Sequence, residues 1–227
     1  MFDLSKLRPS VRAQINHSGI PDRFIGKELA DLAPYSPVVT ATINQWIEFV
    51  VDGKIIRARG TELCGKGLLL VGKPGHGKTT LANLVLQEVL RRADPSIWGQ
   101  SDSMVKNPVM FVDYPKLLRI QQRSWKDESG DDAYLMDRIF GDNKSADNVS
   151  ILVLDDLGKE HRTASGWAET TFDAVLRSRY NAGLPTIVTT NVPLKSWGEV
   201  YGSAMESFAH EAFFPLEIVS EEGDRRK

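Results

Sequence analysis

An α/β chain is predicted, a three-layer α/β/α sandwich on a five-stranded, mostly parallel sheet. Three observations carry this prediction. Three runs, GLLLV (Gly67 to Val71), VMFV (Val109 to Val112) and ILVL (Ile151 to Leu154), are apolar without alternation, as strands covered on both faces must be, and TIVTT (Thr186 to Thr190), after the turn at Gly183 to Pro185, reads as a fourth strand. Between them apolar residues recur at helical spacing. The glycine-rich stretch GKPGHGKTT, Gly72 to Thr80, joins the first run to its helix.

The elements follow in order. A short helix is expected within Met1 to Ser18, opening near Pro9, with Leu7, Val11 and Ile15 along one face. Ile43, Trp46, Ile47 and Val50 mark an amphipathic helix that ends before Gly53. After the glycine loop, Leu81, Leu84, Val85 and Val89 form one helical face, Arg91 and Arg92 suit the negative helix end, and Asp94-Pro95 stops it. Asp94 to Asn107 reads as a polar loop. A helix follows the second strand from Pro115, carrying Leu117, Leu118 and Ile120. Lys126 to Asp132 is a charged, solvated segment, and Tyr134 to Phe140 is helical. Trp167, Phe172, Val175, Leu176 and Tyr180 give the helix between the third and fourth strands. A fifth strand lies around Phe213 to Val219, where Pro215 lacks a donor and confines it to an edge or bulge. Residues 1–18 are expected to be an extension, 19–219 the core and 220–227 a frayed tail.

Composition bounds the function. With 227 residues and 41% hydrophobic content the chain can build one sizeable core. Lys+Arg 28 against Asp+Glu 30 leaves a net charge of -2, so there is no global basic field of the kind that holds nucleic acid nonspecifically, though a local patch stays open. The single cysteine, Cys64, excludes an internal disulfide, and the four histidines show no metal-ligand spacing. No stretch approaches membrane-spanning length and none resembles a signal peptide, so the cytoplasm is the expected compartment and no membrane partner is expected.

The glycine loop carries the chemistry. Gly72, Lys73, Pro74, Gly75, His76, Gly77, Lys78, Thr79 and Thr80 fit G-x-x-x-x-G-K-[ST], the P-loop or Walker A pattern, which makes ATP or GTP the expected ligand. Gly72, Gly75 and Gly77 lack a Cβ, so positive-φ turns can aim consecutive N–H groups at phosphate oxygens. Lys78 brings a cation to the β- and γ-phosphates, and the Thr79 hydroxyl is placed to help hold Mg²⁺. The third strand ends in Asp155 and Asp156, where a second nucleotide motif belongs in an open α/β sheet. Asp155 is expected to hold the metal, and Asp156 to polarise the attacking water as general base. Asn191, closing the fourth strand, is expected to meet the γ-phosphate or that water.

These segments also carry a resemblance. SGIPDRF (Ser18 to Phe24), GLLLVGKPGHGKTTLA (Gly67 to Ala82), ILVLDDLGKE (Ile151 to Glu160), Arg179-Tyr180 and PTIVTTN (Pro185 to Asn191) resemble the DnaC/IstB group of AAA+ ATPases, which includes replicative helicase loaders and a transposition helper. The likeness spans nearly everything from Ser18 onward. It implies an AAA+ sheet order, with the TTN strand between the P-loop strand and the LDD strand, and no clear C-terminal helical lid. It also implies that Ile20, Pro21 and Phe24 border an adenine, favouring ATP over GTP. A replicative DNA helicase is the implied partner, with a transposase as the alternative, and a homo-oligomer remains open. Single-stranded DNA would meet the segment after the second strand, which holds Lys116, Arg119, Arg123 and Lys126 beside Trp125.

The chain departs from the group in two places. Loaders carry a helicase-binding domain ahead of the GIP motif, where this sequence has only the stretch before Ser18. Where relatives place an arginine that reaches a neighbouring subunit's γ-phosphate, SAMESFAHE puts Phe208. Such an arginine contributes about 10³ to 10⁵ in rate, so the sequence implies a slow ATPase, one that needs an arginine in trans, or a switch with little turnover, with Arg162, Arg177 and Arg179 as candidate substitutes.

Overall fold

A computed structural model describes residues 1–31, 35–98, 107–141, 147–158 and 166–219. Its five strands are β1 (Gly67–Val71), β2 (Val109–Asp113), β3 (Ile151–Leu157), β4 (Thr186–Thr190) and β5 (Phe213–Glu217), in the order β2-β3-β4-β1-β5. Every pairing is parallel, with Leu68 opposite Ile187, Leu152 opposite Thr186 and Val71 opposite Glu217. The TTN strand thus lies between the P-loop strand and the LDD strand, as the resemblance implies. The sheet is wholly rather than mostly parallel, and Pro215 falls on edge strand β5, where a missing N–H breaks no inner ladder.

Strand periodicity divides the core. Leu68 and Leu70 of β1 face one layer with α1 (Pro9–His17), α2 (Pro37–Val51) and α3 (Lys78–Arg92). Leu69 faces the other, with α4 (Tyr114–Ser124), α5 (Asp131–Phe140), α6 (Trp167–Asn181), α7 (Trp197–Tyr201) and α8 (Ser203–Ala212). α3 buries Leu81, Ala82, Leu84, Val85, Leu86, Val89 and Leu90, which anchors the loop at its N-terminus to the sheet. One of its polar residues serves the same packing: Gln87 accepts from the Gly26 N–H at 3.0 Å and donates to the Phe24 carbonyl at 2.9 Å.

Several boundaries differ from the sequence reading for local reasons. Leu7 lies outside α1 because Pro9, with its fixed φ and no N–H, occupies the first turn. α4 begins at Tyr114 because the Asp113 carboxylate accepts from the Lys116 N–H at 2.9 Å, an N-cap that periodicity does not register. α5 starts at Asp131, within the segment read as solvated, and α7 and α8 fill a stretch for which no helix was expected. The tail 220–227 and part of the Asp94 to Asn107 loop lie outside the described residues. Among the described residues no helix is long and apolar enough to cross a membrane.

Candidate functional site: a phosphate loop and two strand-end carboxylates

Because the strands are parallel, the ends of β1, β3 and β4 open on one edge of the sheet. The P-loop rises from β1 into α3 there. Gly75 (φ +83°) and Gly77 (φ +86°) adopt the left-handed conformation the sequence requires of them, but Gly72 does not. Gly72 is needed for space: a Cβ on it would stand 2.4 Å from the Ile218 carbonyl oxygen beyond β5. Gly77 is the N-cap of α3 and offers no side-chain acceptor, so the first-turn N–H groups are left for an anion, at the positive end of the helix dipole. His76 reaches back through Nδ1 to the Ile218 carbonyl at 3.2 Å, tying the loop to the β5 end.

Lys78 is 6% exposed. Its ammonium donates to the carbonyls of Gly72 at 2.7 Å and Lys73 at 2.9 Å, and to Asn191 Oδ1 at 2.7 Å. The lysine of the first motif and the asparagine 113 residues later therefore meet directly. On the other side of the loop, Thr79 Oγ1 donates to the Asp155 carboxylate, at 2.9 Å from Oδ1 and 3.1 Å from Oδ2. The hydroxyl and carboxylate form a hard, all-oxygen pair, and no cluster of three or more His, Cys, Asp or Glu suited to a metal occurs among the described residues. That donor set fits Mg²⁺, which takes one or two protein oxygens and completes its shell with water and phosphate.

Thr189 is the residue the sequence reading passed over. Fully buried, it donates to Asp155 Oδ1 at 2.6 Å and accepts from the Asp156 N–H at 3.0 Å. Between Leu154 and Leu157, β3 carries one residue more than β4 opposite it, a bulge that leaves Asp156 at φ +61°. Left-handed backbone on a residue other than glycine costs about 1–2 kcal/mol, so the Thr189 bond holds Asp156 in a strained posture beside the loop. The signal was present in Thr-Thr-Asn, where a hydroxyl precedes Asn191 by two residues, but its partner becomes visible only once β3 and β4 are paired. The Tyr35 hydroxyl stands 3.5 Å from the Gly77 carbonyl, a neighbour of the loop that no motif indicated.

The remaining candidates divide. Ile20 and Phe24 are 5% and 6% exposed and pack in the α3 layer, Phe24 beside Gln87 more than two turns beyond Thr79. Arg179 cannot serve a neighbouring subunit. It is 0% exposed, and its guanidinium donates to the carbonyls of Ile139, Val149, Ser150 and Pro185 and to Thr186 Oγ1, fastening the starts of β3 and β4 to the end of α5. Burial, and secondarily repulsion from Arg57, lowers this guanidinium to about 9, while five oxygen acceptors favour the cation. Arg177 is paired with Asp173 at 2.7 Å, and its guanidinium lies 4.6 Å from the centroid of Phe208, the ring in the position expected for arginine. Arg162 lies outside the described residues.

Lys116, Arg119 and Arg123 of α4, and Trp125 and Lys126 directly after its end, are all exposed. Arg123 makes a two-pronged pair with Asp132 at 2.8 and 3.0 Å, so its charge is partly committed. Trp125, 63% exposed, meets Trp167 edge to face with centroids 5.6 Å apart, a partner the sequence reading did not anticipate.

A family model for the ATPase family associated with various cellular activities (AAA) matches residues 68–196, more than half of the chain and all of the loop, carboxylates and Asn191. The chain belongs to this family. No curated protein sequence matches it. Among solved structures, that of DnaI superposes with a TM-score of 0.64 at 22% identity, covering 94% of this chain and 99% of that one. The DnaC helicase loader gives 0.61 at 22% identity, over 88% and 100% of the two chains. The replication initiator DnaA bound to AMPPCP and single-stranded DNA gives 0.60 at 12% identity, over 91% of this chain and 53% of that one. These likenesses establish the AAA+ fold.

Proposed function

We propose that this AAA protein binds and hydrolyses ATP and uses the cycle to load or remodel a replicative DNA helicase. The observation that carries the proposal is the double contact across the sheet edge, Lys78 with Asn191 and Thr79 with Asp155. It joins the triphosphate loop to the ends of two other strands, so that occupancy of the loop and the posture of β3 and β4 are one equilibrium. The N–H groups at the uncapped start of α3 bind phosphate, and Lys78 turns from the loop carbonyls to the triphosphate. Thr79 and Asp155 would hold Mg²⁺, which when bound would supply charge neutralisation for the phosphates. Asp156 takes the proton of the water that attacks the γ-phosphorus, and the bond to the β-phosphate oxygen breaks. Asn191, released from Lys78, has its amide free for the γ-phosphate or the water. Ile20 and Phe24 border the base.

The partner assignment draws on the near end-to-end overlap with DnaI and with the DnaC helicase loader. The cationic face of α4 with Trp125 is proposed to hold single-stranded DNA, through phosphate contacts and stacking. Calorimetry with Mg-ATP on the parent protein and on Lys78→Ala tests the site, and capture of the replicative helicase in the presence of ATP tests the partner. Equal ATP affinity in the two proteins removes the site, and no helicase capture removes the loader role.

A second reading, an ATP-dependent binding switch with little turnover, is favoured by the side chains around Phe208. The ring is 8% exposed, edge to face with Tyr180 and beneath Arg177, so this surface offers no free arginine among the described residues. Steady-state hydrolysis with single-stranded DNA and the helicase separates the two readings: brisk turnover excludes the switch, and long-lived ATP complexes exclude the motor.

A further inference from the structure

At the far end of α3 from the phosphate loop lies a cavity of about 300 Å³, lined by Arg8, Pro9, Ser10, Val11 and Gln14 of the N-terminal segment together with Leu90, Ala93, Pro95 and Trp98. Three independent features of its polar side agree. The start of α1 opens on it without a side-chain cap, Pro9 carries no N–H, and the N–H groups of Ser10 and Val11 find no acceptor among the described residues. Gln14, one turn further along the same face, is 5% exposed, lines the cavity and makes no hydrogen bond to any described residue. Arg8 stands at the rim, donating one bond to the Ala93 carbonyl at 3.1 Å and retaining its other donors. The neighbouring acid, Asp94, is turned to Ser96, accepting from its N–H at 2.9 Å and its hydroxyl at 2.6 Å. The opposite side is apolar, with Leu90 1%, Val11 4% and Trp98 3% exposed.

We infer that this cavity is a second binding site, for a carboxylate carried on an apolar body about the size of a phenylalanine side chain. The carboxylate accepts from the Ser10 and Val11 N–H groups, the Gln14 amide and Arg8, at the positive end of the α1 dipole. The body fills the space against Val11, Leu90, Pro95 and Trp98, and the volume stands at the lower end of the range for ligand pockets. The source is either a free small acid or the chain-terminal carboxylate of a polypeptide with an apolar last residue. α3 links this site to the phosphate loop through 15 residues, about 22 Å of continuous helix at 1.5 Å per residue, so a ligand here rests on the same rigid element that holds ATP.

The test is a titration of the full chain with 3-phenylpropionate, followed by ¹⁵N–¹H NMR, with 3-phenylpropanamide as the neutral comparison. The expected result is saturable shifts at the Ser10 and Val11 amides, the Gln14 side-chain NH₂ and the Trp98 indole, absent with the amide. Gln14→Leu, which removes an unpartnered polar group and should leave the fold intact, and Arg8→Ala should each weaken binding at least about tenfold, as loss of a hydrogen bond to a charged group does. Acetyl-Gly-Gly-Phe with a free C-terminus then assigns the source: tighter binding than 3-phenylpropionate indicates a polypeptide end, weaker binding a free acid. The proposal is overturned by a lack of saturation up to about 20 mM, a Kd too weak for a built site, by shifts centred on Gly72 to Thr80, or by wild-type affinity in both variants.

Discussion

Thr189→Val removes one buried hydroxyl and keeps the side chain's volume, which makes it the sharpest probe of the site. Two bonds are lost, that to Asp155 Oδ1 at 2.6 Å and that from the Asp156 N–H at 3.0 Å. A hydrogen bond to a carboxylate contributes about 1.5–3 kcal/mol and a buried N–H left without an acceptor costs about 1–3 kcal/mol, so the expected destabilisation is about 3–5 kcal/mol. With a urea slope of about 2–3 kcal/mol/M for a chain of this size, the unfolding midpoint should fall by about 1.5 M. The strain at Asp156 (φ +61°) adds a functional signature. Once its N–H is released, the residue can relax away from the loop, so Mg-ATP turnover should fall at least about tenfold, a loss of at least 1.4 kcal/mol in transition-state stabilisation, while ADP affinity measured without Mg²⁺ stays near wild type. Chemical denaturation and a phosphate-release assay read the two effects. A midpoint within error of wild type, or turnover and ADP affinity falling together, would refute the claim that Thr189 positions the two carboxylates.

Further outcomes are expected elsewhere. Lys78→Ala should weaken ATP binding by at least about 100-fold, since it removes the ammonium held over the loop carbonyls at the start of α3, as calorimetry would read. Gly72→Ala should cost about 1–3 kcal/mol through a Cβ placed 2.4 Å from the Ile218 carbonyl, lowering Tm by several degrees in a thermal melt; an unchanged Tm would show that the β5 end moves freely. Arg179→Lys offers three donors where five acceptors stand, and an unfolding free energy lower by about 2–4 kcal/mol is expected, against no change if the guanidinium is not a fastening. Trp125→Ala should reduce affinity for a fluorescent single-stranded oligonucleotide by about 5- to 100-fold without altering ATP affinity, as one lost base stack would.

Much of the fold was legible because its causes are local. Runs such as GLLLV and ILVL have no alternation to hide, and a glycine loop between a strand and a helix has one common meaning. The helices α7 and α8 were missed because the side chains that bury them, Trp197, Met205, Phe208 and Ala209, pack against α6 and the sheet rather than forming a clear isolated stripe. Arg179 reads in sequence like any helix arginine, and only the convergence of Ile139, Val149, Ser150, Pro185 and Thr186 reveals why it is buried.

The amino-acid order alone fixed which groups bear the chemistry: glycines that allow a tight phosphate turn, a lysine and threonine after them, and paired carboxylates closing an apolar run. Their meeting belongs to the tertiary structure. Lys78 touches Asn191 and Thr79 touches Asp155 because parallel pairing puts β4 between β1 and β3 and brings all three strand ends to one edge. The bulge that turns Asp156, the hydroxyl that holds it and the cavity behind α3 arise from contacts between residues far apart in the chain, which no local pattern encodes.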